Sequence, residues 1–175
     1  MKIRIRQVVM DDIKHFRTPS RQESVSLDDF YGDYFTGGFA DDEVYGCNGF
    51  RLMEGKIIYH STFLTPETRG VKGLWTAIFC GRVYLQKKIL GDHADTKIIG
   101  TIPYTNVNTT IQFLKDLGWT EASDVYIHTT PHNWVGEAIK LETTYGELCE
   151  RIVDHVQNME AKFDLNYSKV FGVTI

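Results

Sequence analysis

The stretch that most constrains this chain is Phe63 to Leu90, FLTPETRGVKGLWTAIFCGRVYLQKKIL. It passes from an apolar strand through a short loop with two glycines, Gly70 and Gly73, into a long helical pattern. Apolar residues recur at Leu74, Ile78, Leu85 and Ile89, and Phe79 and Val83 widen the stripe, so the spacing predicts an amphipathic helix. Gly91 suits its C-terminal stop. The N–H groups that open a helix have no intrahelical partner and point outward, which makes the loop a candidate anion cradle.

Before this unit, Lys2 to Val9 alternates, with Ile3 and Ile5 on one side, and predicts a strand. Asp11 and Asp12 open a short helix carrying Ile13 and Phe16, where early acids suit the helix dipole, and Pro19 ends that region. Ser20 and Glu23 have capping-box spacing, so a second helix carrying Val25 and Phe30 is expected. Tyr31 to Ala40, YGDYFTGGFA, is aromatic, glycine-rich and acidic. It reads as a loop packed by its own aromatics, with a pocket rim as the sharper alternative. Glu43 to Met53 reads as one or two strands broken near Asn48-Gly49, Glu54-Gly55 as a turn, and Lys56 to Leu64 as a strand, together an antiparallel meander.

After it, Thr96 to Ile102 is apolar enough for a central strand, which Pro103 breaks. Asn106 or Asn108 caps a helix with Ile111, Phe113, Leu114 and Leu117, stopped by Gly118. Trp119 to about Ile127 is a strand, Thr129 to Asn133 a turn, and Glu137 to Glu142 the return strand of a hairpin. Thr144 and Glu147 cap a last helix with Leu148, Ile152, Val156, Met159 and Phe163 on one stripe. The end, KVFGVTI, suits an edge strand or docking on a partner. The expectation is a single domain over residues 1–175, with 164–175 as a C-terminal tail, and an α/β (α+β) fold whose mixed, largely antiparallel central sheet is flanked by helices.

A chain of 175 residues supports one well-buried core. A formal net charge of −4 argues against a broad nucleic-acid-binding face. The opening MKIRIRQVV lacks the apolar core of a signal peptide, and no apolar run has the length of a membrane span. Three widely spaced cysteines, Cys47, Cys80 and Cys149, suit free thiols in a reducing, cytoplasmic compartment rather than a disulfide frame or a zinc site.

Leu64-Thr-Pro-Glu-Thr-Arg-Gly70 followed by a helix resembles the V-x-P-x-x-R-G stretch of the GCN5-related N-acetyltransferases (GNAT). TNVNTTIQFLKDLGW, Thr105 to Trp119, resembles their later N-x-x-A-x-x-F-Y-x-x-x-G-F helix. The resemblance implies that the strands Lys56–Leu64 and Thr96–Ile102 run side by side and splay, with acetyl-coenzyme A (acetyl-CoA) in the splay. It further implies that the backbone at Phe63 and Leu64 bonds the pantetheine and acetyl carbonyl. Arg69, Gly70, Val71, Lys72, Gly73, Leu74 and Trp75 would wrap the pyrophosphate, and Asn108 would join them from the next helix. The chain departs from the family's Q/R-x-x-G-x-G/A loop, because counting from Arg69 puts Lys72 and Leu74 at the two small positions. It departs again where many members carry a proton-donating tyrosine four residues before the helix-ending glycine, since that position is Leu114.

Tyr104 is the nearest phenol for that proton, and His60 is the candidate base, on the face of its strand opposite Tyr59. Glu67 is a second base candidate, placed by its loop near the phosphates. His128 and His132 flank Pro131 without a third ligand nearby, so no metal is expected. The Phe113-Leu114-Lys115 form of the later helix is similar to acetyltransferase-like proteins of tailed bacteriophages, including small proteins of head assembly or virion content. Two functions follow from these resemblances. One is transfer of an acyl group from acetyl-CoA to the amine of a small molecule or protein. The other is a non-catalytic phage protein, in the host cytoplasm or virion, that binds a protein partner or a second copy of itself.

Overall fold

The computed structural model describes residues 2–16, 33–103, 107–122, 126–129 and 135–175. The strands β1 (Arg4–Gln7), β2 (Asp33–Ala40), β3 (Glu43–Met53) and β4 (Lys56–Leu64) pair antiparallel in that order. Glu54 and Gly55 turn β3 into β4 with φ of 52° and 74°, the left-handed pair that matches hairpin twist. Helix α1, described over residues 13–16, follows a 3-10 turn at Met10–Asp12. Asp12 accepts from the Val9 amide at 2.8 Å and from Arg6 Nη1 at 2.6 Å, and the Arg6 guanidinium holds its carboxyl below the usual carboxylate range.

Helix α2 (Leu74–Leu90) crosses from β4 to β5 (Lys97–Pro103), which lies parallel to β4. Then come α3 (Val107–Asp116), β6 (Thr120–Glu121), β7 (Tyr126–Thr129), β8 (Val135–Thr144), α4 (Tyr145–Phe163) and α5 (Tyr167–Phe171). The sheet order is β1-β2-β3-β4-β5-β8-β6, with β7 also on β8, and among the described residues every pairing except β4–β5 is antiparallel. The capping box expected at Thr144 and Glu147 is present, with Glu147 N donating to Thr144 Oγ1 at 3.3 Å.

Three expectations are corrected. The segment Tyr31 to Ala40, read as a loop, contains β2. Its glycines serve close packing: a Cβ on Gly38 would lie 2.9 Å from Ile78 Cδ1 of α2, and one on Gly37 would lie 3.0 Å from Phe16 on the other face. Helix α2 is not amphipathic, because it is buried all round from Ala77 to Gln86. The sheet covers one side of it. Tyr145 of α4 donates to the Val83 carbonyl at 3.1 Å, and Tyr167 of α5 donates to the Ala77 carbonyl at 2.8 Å on the outside. The C-terminal segment forms α5 rather than an edge strand, since Tyr167 and Phe171 bury against this chain's own core at 1% and 3% exposure. The expected second helix from Ser20, residues 130–133 of the turn expected over Thr129 to Asn133, and Asn106 lie outside the described residues.

Among the described residues the core forms two apolar clusters. The larger lies on the α2 side and includes Phe50, Ile57, Tyr59, Ile98, Leu114 and Trp119; the smaller joins Val8, Phe16, Phe35, Phe39, Val44, Cys47 and Phe63. Among the described residues no helix is long and apolar enough to cross a membrane.

Candidate functional site

The parallel pairing of β4 with β5 is short. It joins Ile57 to Ile98, Ile58 to Ile99 and Tyr59 to Gly100, then stops, although β4 continues to Leu64. Strand β5 stays paired with β8 as far as Pro103 opposite Ala138, so β4 is the strand that leaves. A bulge begins where it leaves. Cys47 faces Phe63 and Gly49 faces His60, so Asn48 alone stands opposite Ser61 and Thr62. An extra residue bends and twists the strand that carries it. The buried Asn48 amide secures the bulge: in the orientation that satisfies both ends, its nitrogen donates to Thr62 Oγ1 at 2.8 Å and its oxygen accepts from Phe79 N at 3.0 Å.

The backbone past the bulge can be oriented. Thr65 N donates to the Tyr45 carbonyl at 3.0 Å. Successive residues of an antiparallel strand point their polar groups to opposite edges, so the N–H and C=O of Leu64 face the gap that β5 leaves, while those of Phe63 face β3. The Phe63 side chain belongs to the smaller core.

The loop that follows sits at the end of this gap. A 3-10 turn at Pro66–Thr68 is tied to β3 by Thr68 Oγ1, which donates to the Tyr45 carbonyl at 2.9 Å. Of the amides in the expected cradle, Val71 N donates to Thr68 O at 2.9 Å and Leu74 N to Val71 O at 3.1 Å. Gly73 caps α2 with φ 90°, and the first i to i−4 bond runs from Ala77 N to Gly73 O. Trp75 N and Thr76 N therefore stand in the helix-opening positions that lack an intrahelical acceptor. Arg69, Gly70 and Lys72 are exposed, and a Cβ on Gly70 would meet nothing within 4 Å. Leu74 points into the core at 0% exposure. A further cation comes from α4: Lys162 Nζ lies 3.5 Å from where a Gly73 Cβ would be, beside Met159.

On the α2 face the parting point is aromatic. Trp75 meets Phe113 of α3 edge-on at 4.9 Å between centroids, and Phe79 meets Phe113 at 5.4 Å. Tyr59 lies 5.6 Å from Trp119, and its hydroxyl donates to Gln86 Oε1 at 2.7 Å. Arg82 stacks 3.6 Å over the Tyr59 ring and donates to the Gly49 carbonyl at 3.2 Å; burial pushes its pKa down to about 10. Leu114, at the position where many GNAT members carry tyrosine, is a core residue at 5% exposure.

On the opposite face stands His60, the first β4 residue past the last pair with β5. Its Nε2 lies 3.2 Å from Asp33 Oδ2, and Phe35 packs edge-on against the ring at 5.6 Å. Asp33 is in turn gripped by Arg51, Nε to Oδ1 and Nη2 to Oδ2, both at 2.7 Å. Asp33 and Arg51 were missed because Asp33 falls in the segment read as a loop. Once β2 is a strand, the register sets Asp33 directly opposite Arg51, an opposite-charge pair that the sequence contains but does not align.

Tyr104 and His132 lie outside the described residues, and His128 is described only as part of the β7 backbone. Asn108 falls in the first turn of α3. Glu67 is exposed in the 3-10 turn. Among the described residues no cluster of three or more His, Cys, Asp or Glu could hold a metal ion.

No family model and no curated protein sequence matches this chain. Solved structures do match in shape. Mutant forms of the spermidine/spermine N-acetyltransferase SpeG from Vibrio cholerae superpose with a TM-score of 0.64 at 10% identity, over 86% of this chain and 98% of theirs. An N-acetyltransferase from Staphylococcus aureus gives 0.62 at 9% identity, over 83% and 99%. A Desulfovibrio desulfuricans protein assigned to the GNAT family gives 0.58 at 14% identity, over 82% and 99%. At these identities the likeness is one of fold. The mixed sheet, its parting strands and its flanking helices are the GNAT fold.

Proposed function

We propose that the protein is an N-acyltransferase that moves an acetyl group from acetyl-CoA to an amine. The observation that carries this reading is the early end of β4–β5 pairing at Tyr59 and Gly100, with the Leu64 backbone turned into the opening. A thioester needs a fixed N–H to polarise its carbonyl and an edge along which an extended, amide-bearing arm can bond. Leu64 offers both groups. The diphosphate then falls to the start of α2, where the Trp75 and Thr76 amides, exposed Arg69 and Lys72, and the room at Gly70 suit an anion. Val71 and Leu74 serve this site through the shape of the turn, since their amides are bonded within the chain. The resemblance assigns Trp75 and Asn108 to it as well, and they fall in the first turns of α2 and α3.

The chemistry asks little covalent work of the protein. The amine attacks the acyl carbon directly, so orientation and a polarised carbonyl supply most of the acceleration. His60 is the base in this reading, and the similar spermidine acetyltransferases make a small aliphatic amine the first acceptor to try. The departing thiolate has a reference pKa of about 8.5, so it leaves without an obligatory acid beside it.

The test is a thermal melt with acetyl-CoA. A ligand at a hundred times its dissociation constant adds about 2.7 kcal/mol to stability, which reads as a clear rise in Tm. No rise at millimolar acetyl-CoA would leave a non-catalytic protein that keeps the fold for binding or assembly.

A further inference from the structure

We propose that Thr62 is a catalytic residue whose hydroxyl donates a hydrogen bond to the thioester carbonyl of the acyl donor and holds the negative charge that forms there during transfer. This rests on the acyltransferase reading of the site and adds to it a side-chain donor at the reacting group.

The first observation is where Thr62 stands. Strand β4 is interior to the sheet, between β3 and β5, and α2 lies over one of its faces. Tyr59 on that face, in the last pair with β5, is 6% exposed. Thr62 lies beyond that pair, in the bulge where it and Ser61 together face Asn48, and it is exposed. A side chain in the middle of a sheet reaches solvent there because β5 has parted from β4.

The second observation fixes the direction of the hydroxyl proton. The Asn48 oxygen accepts from Phe79 N at 3.0 Å, so the Asn48 nitrogen is the end turned to Thr62, 2.8 Å from Oγ1. An amide nitrogen only donates, so Thr62 Oγ1 is the acceptor and its own proton is left to point elsewhere. Asn48 is 0% exposed and ties β3 to α2 through Phe79, which places the Thr62 oxygen on the α2 face of the opening. Its free side is the opening itself. Two residues further along β4, the Leu64 N–H faces the same opening.

In the transfer, the amine nitrogen bonds to the acyl carbon and the C=O π pair moves onto oxygen. Thr62 Oγ–H and Leu64 N–H hold that oxyanion as donors set in place before the reaction, where such groups lower a barrier most. The pair then returns, the carbon–sulfur bond breaks, and sulfur leaves with its electrons as thiolate. The nitrogen gives its proton to the base, and the thiolate takes one from water. The threonine hydroxyl keeps its proton throughout.

The test is the infrared C=O stretch of acetyl-CoA carrying carbon-13 at the acetyl carbonyl, bound to the parent chain and to variants; it needs no acceptor amine. A hydrogen bond to the oxygen lowers this stretch. Thr62→Val keeps the shape and drops the hydroxyl, so the stretch is expected to move to higher wavenumber than in the parent, while Thr62→Ser should leave it in place. Should Thr62→Val fail to fold, Thr62→Cys, with its weak donor, is measured instead and the same upward shift is expected. A parent Tm unmoved by acetyl-CoA would end the acyltransferase reading and this role together. A Tm that rises while the stretch is the same in parent and donor-less variant, or that shifts as far in Thr62→Ser, would overturn the role of Thr62 alone.

Discussion

The Asn48 amide nitrogen lies 2.8 Å from Thr62 Oγ1, across the point where β4 carries its extra residue. The same side chain accepts from Phe79 N and is 0% exposed. Asn48→Ala would leave a buried helix amide without this acceptor. The expected cost is about 1–3 kcal/mol, read as a lower urea midpoint. An unchanged midpoint would mean that the bulge holds without this side chain.

Leu114 separates two readings of α3. The family resemblance sets this position where a tyrosine donates a proton, but the structure buries leucine there beside Ile111 and Leu117. Leu114→Ala should cost about 2–5 kcal/mol of unfolding free energy, the range for emptying a core site. A loss below about half a kcal/mol would place the residue at the surface instead.

Much of this fold could be read from the residues. Lys56 to Leu64 matches β4 at both ends, Gly91 caps α2 and Gly118 follows α3 with φ 81°, because alternation and glycine stops are local signals. The failures share one cause, which is packing between distant segments. Gly37 and Gly38 look like loop residues until α2 and Phe16 are laid on either face of β2. The stripe on α2 looked sufficient because nothing local says that Tyr145, Tyr167 and Phe171 will cover its outer side. At the site, His60 and its face followed from alternation. The parting of β4 from β5 came from the resemblance alone, since an extra residue is visible only once Cys47–Phe63 and Gly49–His60 fix the register.

His93 gives the stability a pH dependence that can be signed. Gln86 Nε2 is 2.9 Å from its Nε2, and the Gly91 carbonyl is 2.7 Å from its Nδ1. Gln86 gives its oxygen to the Tyr59 hydroxyl, so its nitrogen donates and His93 Nε2 must accept. Protonating Nε2 would set two donors against each other. Burial is the largest cause that lowers the pKa of this ring below 6.5, and the nearby Lys87 adds to it. Below about pH 6.5 the unfolded chain then binds the proton more readily than the native one, so stability falls as pH drops through that window. His93→Phe keeps a ring to stack on Tyr145, 3.9 Å away, and removes the titration. Between pH 7 and 5.5 the parent should lose more of its urea midpoint than the variant. Equal losses would mean that His93 is not the group responsible.

Lys72 allows the phosphate end of the site to be tested without disturbing the fold. It is exposed and precedes Gly73, the residue that caps α2. Charge reversal there should change stability by no more than about 0.5 kcal/mol. Its effect on acetyl-CoA should be larger, because repulsion replaces attraction at the mouth of a helix whose own dipole favours anions. We expect Lys72→Glu to weaken acetyl-CoA about tenfold, equivalent to about 1.4 kcal/mol, and expect the loss to shrink as salt is raised. S-acetylpantetheine, which has the thioester arm but no phosphates, should bind parent and variant alike. If both ligands weaken together, Lys72 acts on the arm or on the fold. If neither weakens, the diphosphate does not lie at the start of α2.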